Sequence, residues 1–265
     1  MGRGTPRRSV PPCCGNSNAV NVMFLLFTDF GWRGPYVGQV KAVLATRCPT
    51  HPIIDLMHDA AAFRPREAGY LLAAIAHWIK PAAVIVAVVD PGVGTERRAI
   101  AATLDGRWFV GPDNGLLAPT INAAAVDRRV FALPIPGGVS ASFHGRDVFA
   151  PAAAELAICG RIADQCEIVD WVGRDLPADT DRIVYIDGYG NVLTGRRAAT
   201  LSRGVGPVVS GQPIIEARTF ADVAPGIVFW YRNSLGLVEI AVNQGNAAQR
   251  FGLEVGDSLC FQTIT

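Results

Sequence analysis

The run Val84-Ile85-Val86-Ala87-Val88-Val89 constrains this chain more than any other stretch. Consecutive apolar, mostly β-branched residues predict a strand buried on both faces, because a strand with one wet face alternates apolar and polar positions. The strand stops at Asp90-Pro91-Gly92-Val93-Gly94. Proline cannot continue a central ladder, and the glycines permit a tight left-handed turn, so Asp90 lies at the carboxyl end of the strand. In open α/β sheets that end faces the ligand crevice. Arg97 follows closely enough to fold back onto Asp90 as a charge-assisted pair. The same residues would also serve as a turn-capping aspartate beside a solvated arginine, and the motif alone leaves both readings open.

The flanking segments supply the rest of an α/β pattern. Val22 to Phe27 predicts a strand ending on Thr28-Asp29-Phe30-Gly31, a second carboxylate at a strand end. Helical spacing runs from Tyr36 to Thr46, with Pro49 as the stop, and from Glu67 to Ile79, with Pro81 beyond it. Ile53 to Leu56 is a short strand between them, followed by His58-Asp59 and a loop with Phe63. Ala99 to Leu104 and Trp108 to Val110 flank Asp105-Gly106, a hairpin signal. After Gly111-Pro112-Asp113-Asn114-Gly115 come a helix from Leu116 to Ala124, a strand from Val130 to Leu133, and a helix from about Val148 to Ile158 that places His144 at its N-terminus. Alternating strands and helices predict a mostly parallel sheet sandwiched by helices over residues 22–170.

Beyond Asp164 the pattern changes. Short apolar segments separated by glycines, from Ile183 to Phe261, predict a smaller all-β, barrel-like domain over residues 178–265, joined through Leu176-Pro177-Ala178-Asp179. Residues 1–21 contain three arginines and three prolines but no apolar segment, and read as a disordered tail without a secretory, twin-arginine or myristoylation signal.

With 265 residues, 50% apolar and 18% charged, the chain is expected to be globular. A net charge of +1 offers no electrostatic footing for nucleic acid or an anionic membrane, and no apolar stretch is long enough to span a bilayer. The six cysteines have neither zinc-site nor disulfide spacing, which predicts no metal, reduced thiols and a cytoplasmic setting.

Asp29, Asp90, Arg97 and His144 are polar groups at strand ends or loops where ligands gather. In the second half, Asp187-Gly188-Tyr189-Gly190-Asn191 and Asn233-Ser234-Leu235-Gly236 are glycine-bracketed turns whose plain reading is structural. Glu239 and Asn243 interrupt an apolar run, so they either pair with a ligand or lie on a wet face.

Together these motifs resemble the S-adenosylmethionine hydroxide adenosyltransferases, relatives of the fluorinase and chlorinase. The resemblance rests on Phe27-Thr28-Asp29-Phe30-Gly31, Val89 to Arg97, Gly111 to Gly115, Phe143-His144-Gly145-Arg146-Asp147 and Glu239 to Ala247, in that order from Val22 onward. It implies hydrolysis of S-adenosyl-L-methionine at the ribose 5′ carbon to adenosine and L-methionine, with Asp90, Arg97 and His144 orienting and activating water. It further implies that Asp29 grips the ribose hydroxyls, that Phe63 lies against the nucleoside, and that Asp187 and Asn191 hold the methionine portion. Tyr231, Ser234, Glu239, the backbone of Val242 and Asn243 then form the adenine and outer wall. The resemblance implies homotrimers with each site between subunits, S-adenosyl-L-methionine as substrate, and no further cofactor. Two alternatives stand beside this reading. A halogenase would use halide in place of water, although the halide-binding serine of the fluorinase is replaced here by Gly145. A non-catalytic binding protein would have no use for the catalytic set. A nicotinamide enzyme is disfavoured, since no Gly-x-Gly-x-x-Gly follows the first strand.

Overall fold

The computed structural model of the chain describes residues 22–124 and 127–263; the expected tail, residues 1–21, lies outside them. The first part builds a seven-stranded sheet from β1 (Met23–Thr28), β2 (Ile53–Met57), β3 (Ala83–Val88), β4 (Ala99–Leu104), β5 (Arg107–Pro112), β6 (Arg129–Leu133) and β7 (Cys166–Ile168). Their order is β2-β1-β3-β5-β4-β6-β7. The strands β2, β1, β3 and β5 run parallel, while β4, β6 and β7 add antiparallel pairs, so the sheet is mixed. The Asp105-Gly106 hairpin accounts for the switch. Both residues have positive φ, as a tight primed turn requires, and the returning strand β5 docks beside β3. The edge strand β7 was not anticipated; three residues are too few to show alternation.

Four helices cover the sheet: α1 (Tyr36–Arg47), α2 (Pro65–Ala76), α3 (Ala118–Ala123) and α4 (Ala150–Cys159). β3 shows why its sequence is apolar at every position. Val84, Val86 and Val88 pack into a core with α1 and α4, whereas Ala83, Ile85 and Ala87 pack into the opposite core with α2 and α3. Helix α2 starts earlier than the apolar spacing suggested, at Pro65, where a missing N–H costs nothing. Ahead of α4 the chain makes a π-helical turn, Gly145–Phe149, directly after His144.

The second part contains β8 (Ile183–Ile186), β9 (Val192–Arg197), β10 (Val205–Val209), β11 (Gln212–Pro213), β12 (Ile215–Glu216), β13 (Val228–Arg232), β14 (Leu237–Val242), the short helix α5 (Ala247–Phe251) and β15 (Cys260–Thr263). The barrel-like expectation takes the form of two sheets, β11-β10-β15 and β12-β13-β14-β9-β8, joined by a bridge between Arg182 and Ser258. Ile183, Val192, Trp230, Val238 and Ile240 fill the core between them. Val184 and Leu193 turn the other way and join the core beneath α2. The connecting segment is tied down by Tyr70, whose hydroxyl donates to the Pro177 carbonyl at 2.8 Å, and by Asn122, whose amide donates to Gly173 and Leu176. Among the described residues no helix is long and apolar enough to cross a membrane.

Candidate active site

Asp29 and Asp90 follow the ends of two neighbouring parallel strands. β1 and β3 pair in register up to Thr28 opposite Val88, and the Asp29 amide continues the ladder to the Val88 carbonyl at 3.2 Å. Beyond Val89 the chain folds back through a compact turn: Val93 N–H donates to Asp90 O, and both the amide and hydroxyl of Thr95 donate to Gly92 O. This turn returns Arg97 to Asp90. Arg97 Nε donates to Asp90 Oδ1 at 3.0 Å and Nη2 donates to Oδ2, a bidentate clamp. Nη2 also meets His144 Nδ1 at 2.9 Å, and the guanidinium lies over the Phe149 ring.

This cluster is dry. The side chains of Asp90 and Arg97 are 5% and 9% exposed, and His144 is 4% exposed. Burial, then the Arg97 charge, pushes the His144 pKa below the ordinary imidazole value, against the opposing pull of Asp90 and Asp147. His144 is therefore neutral at neutral pH. A guanidinium only donates, so Nδ1 is the acceptor and Nε2 carries the proton. Burial raises the Asp29 pKa to about 6; its own backbone amide opposes that rise and the nearby Asp90 charge adds to it. Asp29, Phe63, Asp90 and His144 line one cavity of about 100 Å³. Phe63 stands at its mouth, 80% exposed, with φ +61°.

Other motif residues brace this cavity. Asn114 donates to the Val89 carbonyl at 2.9 Å, and Asp113 pairs with Arg98 while accepting from the Val172 amide. Asp147 accepts from the Ser140 amide at 2.9 Å and pairs with Arg146, which reaches Gln39. These contacts hold the loop that presents His144.

A second, larger cavity of about 860 Å³ is lined by Asp187, Asn191, Tyr231, Ser234, Glu239 and Val242. Asp187 Oδ1 accepts from the amides of Tyr189 and Asn191, and Oδ2 accepts from the Asn191 side chain at 2.9 Å, so Asp187 shapes the turn it stands in. Glu239 is buried and accepts from the Tyr231 hydroxyl and from Asn233 Nδ2. Burial raises its pKa. Asn243 is not in the cavity wall; its amide donates to the Val223 carbonyl at 2.7 Å. The two cavities share no lining residue, so within one chain Asp29, Asp90 and His144 line one and Asp187, Asn191, Tyr231 and Glu239 the other, although Ser234 also meets Tyr70 and His77 of the first half in a third cavity.

Sequence reasoning missed Phe30 and Phe143, which flank the small cavity, and Phe220, which stands edge-on to Tyr231 at 5.6 Å. The signal for Phe220 was present: Thr219 and Asp222 form a capping box around it. Asn233 was visible only as a turn residue, yet its side chain organises the turn and holds Glu239. Among the described residues no group of three or more His, Cys, Asp or Glu is arranged to hold a metal ion.

Comparison with known proteins agrees with this architecture. Residues 24–165 match the model of the SAM hydroxide adenosyltransferase N-terminal domain and residues 181–260 that of the C-terminal domain. A Thermus thermophilus protein named (R)-S-adenosyl-L-methionine hydrolase is 39% identical, over 86% of this chain and 95% of its own. A Salinispora arenicola protein of the same name is also 39% identical, over 88% and 94%. A fluorinase of Nocardia brasiliensis is 24% identical, over 92% and 97%. The crystal structure of an uncharacterized conserved protein from Thermotoga maritima superposes with a TM-score of 0.80 at 29% identity, covering 90% of this chain and 99% of that one. The chain belongs to the SAM hydroxide adenosyltransferase family.

Proposed function

We propose that this chain hydrolyses S-adenosyl-L-methionine at the ribose 5′ carbon, releasing adenosine and L-methionine, and that Asp90, Arg97 and His144 serve the attacking water. The observation that carries the reading is the pair Asp90 and His144, bridged from behind by buried Arg97, in the wall of the same cavity as Asp29. A sulfonium leaves as a neutral thioether, so no acid is required; the task is to align a water molecule and shield the reaction. His144 donates from Nε2 to the water oxygen. The oxygen lone pair forms the new bond to the 5′ carbon as the carbon–sulfur bond breaks, and that bond's electron pair stays on sulfur. The surplus proton on the new 5′ hydroxyl passes to Asp90, since His144 Nδ1 is occupied by Arg97 and protonating it would set two cations face to face. Each Asp90 oxygen clamped by Arg97 keeps a lone pair for the proton.

Asp29 takes the ribose hydroxyls, and Phe63 covers the nucleoside. Tyr231, Ser234, Glu239 and the Val242 backbone line the adenine side, with Asn243 bracing that wall. Asp187 and Asn191 receive the methionine ammonium and carboxylate ends. The separation of the two cavities within one chain supports a site completed between two subunits, and the resemblance implies that these belong to a homotrimer, where exposed Phe63 and Tyr189 of different copies would close over the ligand. The names of the relatives support the (R) epimer of S-adenosyl-L-methionine at sulfur as substrate; the reading includes no separate cofactor and a cytoplasmic setting, which the resemblance and the scattered cysteines imply.

The test is incubation with S-adenosyl-L-methionine in halide-free buffer made with heavy-oxygen water, then repetition with chloride or fluoride. Adenosine carrying the label at its 5′ hydroxyl is expected in every case. A 5′-halogenated nucleoside appearing only with halide would replace the hydrolase reading by a halogenase, and binding without product would replace it by a sensor.

A further inference from the structure

Beside Asp29 runs a chain of polar groups, buried at its inner end, that the mechanism above does not use. Lys41 Nζ donates to Asp55 Oδ2 at 3.0 Å, Asp55 Oδ1 meets His58 Nε2 at 3.1 Å, and His58 Nδ1 meets the Thr28 hydroxyl at 2.7 Å. The Thr28 oxygen in turn accepts from the Phe30 amide at 3.3 Å. His58 and Thr28 are buried, and the Trp32 ring stands edge-on over the imidazole at 4.9 Å. The directions are determined by the ends of the chain. The carboxylate can only accept, so His58 Nε2 donates to it, and in the neutral ring Nδ1 is then left to accept the Thr28 proton. Every polar atom of the imidazole is then satisfied.

Backbone bonds to the His58 segment flank Asp29 on both sides. The Thr28 carbonyl accepts from the Ala60 amide at 3.1 Å, and the Gly31 amide donates to the His58 carbonyl at 2.6 Å. Among the described residues no neighbouring side chain holds the Asp29 carboxylate; what acts on it is burial, its own backbone amide and the Asp90 charge. Its direction therefore depends on the backbone of residues 28–31. We propose that His58 is a positioning residue that fixes the Asp29 carboxylate through the Thr28 hydroxyl, with Asp55 and Lys41 fixing the imidazole in turn. The proposal rests on the assignment of Asp29 to the ribose hydroxyls.

The test compares binding of adenosine with that of 2′,3′-dideoxyadenosine, which lacks the groups Asp29 would grip, by titration calorimetry on the full chain. The parent is expected to prefer adenosine by about tenfold or more, the range for hydrogen bonds to a charged group. Thr28→Val keeps the shape of the side chain and removes the hydroxyl; His58→Leu removes the imidazole. Both should reduce the preference to about unity, while Thr28→Ser, which restores the hydroxyl, should retain it. A role confined to stability would weaken both nucleosides together and leave the preference intact. If Thr28→Val keeps the parent's preference, the positioning role of His58 is overturned and the Asp29 assignment stands. If the parent itself shows no preference, the Asp29 assignment fails and the proposal falls with it.

Discussion

Arg97 Nη2 lies 2.9 Å from His144 Nδ1 while the same guanidinium clamps both oxygens of Asp90. One cation thus sets the tautomer of the imidazole and the orientation of the carboxylate. In Arg97→Met the charge that helps depress His144 is gone and Asp90 loses its partner, so the His144 pKa should rise, as followed by NMR titration of the ring nitrogens. Hydrolysis should fall by about 100-fold or more in this variant and in Asp90→Asn, the scale of a lost proton-transfer group, with S-adenosylmethionine affinity changed only a few-fold. A His144 titration that stays put in Arg97→Met would contradict the hydrogen-bond assignment.

Asp29 should leave two pH signatures of opposite sign. Its pKa is raised by burial from 3.8 to about 6, so its protonated form favours the folded state. That stability is complete below 3.8 and is lost as pH rises through about 6. Asp29→Asn, neutral throughout, should therefore gain in Tm relative to the parent as the pH is raised across this window. Adenosine binding should do the reverse: the parent's affinity improves as Asp29 ionises, and the variant's stays flat. Thermal melts and calorimetry over the same pH series check both.

Gly94 is a second lever on the catalytic cluster, one that touches none of its side chains. It holds φ +79°, and a Cβ there would stand 2.4 Å from the Ala141 carbonyl oxygen, on the loop leading to His144. Gly94→Ala should cost about 1–3 kcal/mol of stability and lower kcat. Gly92→Ala meets nothing closer than 3.5 Å and should be milder on both counts. Equal melting temperatures for the two variants would refute the close packing of turn on loop.

Gly145 bears on the choice of nucleophile. A Cβ at this position would meet Phe30 at 3.0 Å and Phe143 at 3.2 Å, so the rings fill the space a serine would need. Gly145→Ser should be destabilised by about 1–3 kcal/mol through overpacking, lose hydrolysis, and form no 5′-halogenated adenosine in chloride or fluoride. Product analysis by chromatography decides the point; halogenated product would show that the glycine alone excludes halide.

Much of this was legible before any coordinates. The two-faced burial of Val84 to Val89, the hairpin at Asp105-Gly106 and the fold-back of Arg97 onto Asp90 all follow from local chemistry: apolar continuity, primed-turn residues, and a short glycine-rich turn. Other features depend on partners far away in sequence. The strand Cys166–Ile168 exists only because β6 offers it an edge, and the inward direction of Glu239 becomes visible only once Tyr231 and Asn233 are beside it. The bond that Asn243 makes was hidden for the same reason. A run of residues shows that a polar group interrupts a strand, but not that the Val223 carbonyl waits for its amide. The His58 chain spans three separate elements and leaves no periodic trace.

The pairing of β1 with β3 runs without a bulge from Met23 opposite Ala83 to Thr28 opposite Val88, and Asp29 and Asp90 come one and two residues later. Adjacent strands lie about 4.8 Å apart, so the ladder brings the two backbones side by side just before Asp29 and Asp90 leave it. A register slip of two residues would keep every side chain on its proper face yet shift one carboxylate by about 7 Å along the sheet. The spacing of the two carboxylates thus depends first on strand register and then on the turn that carries Asp90.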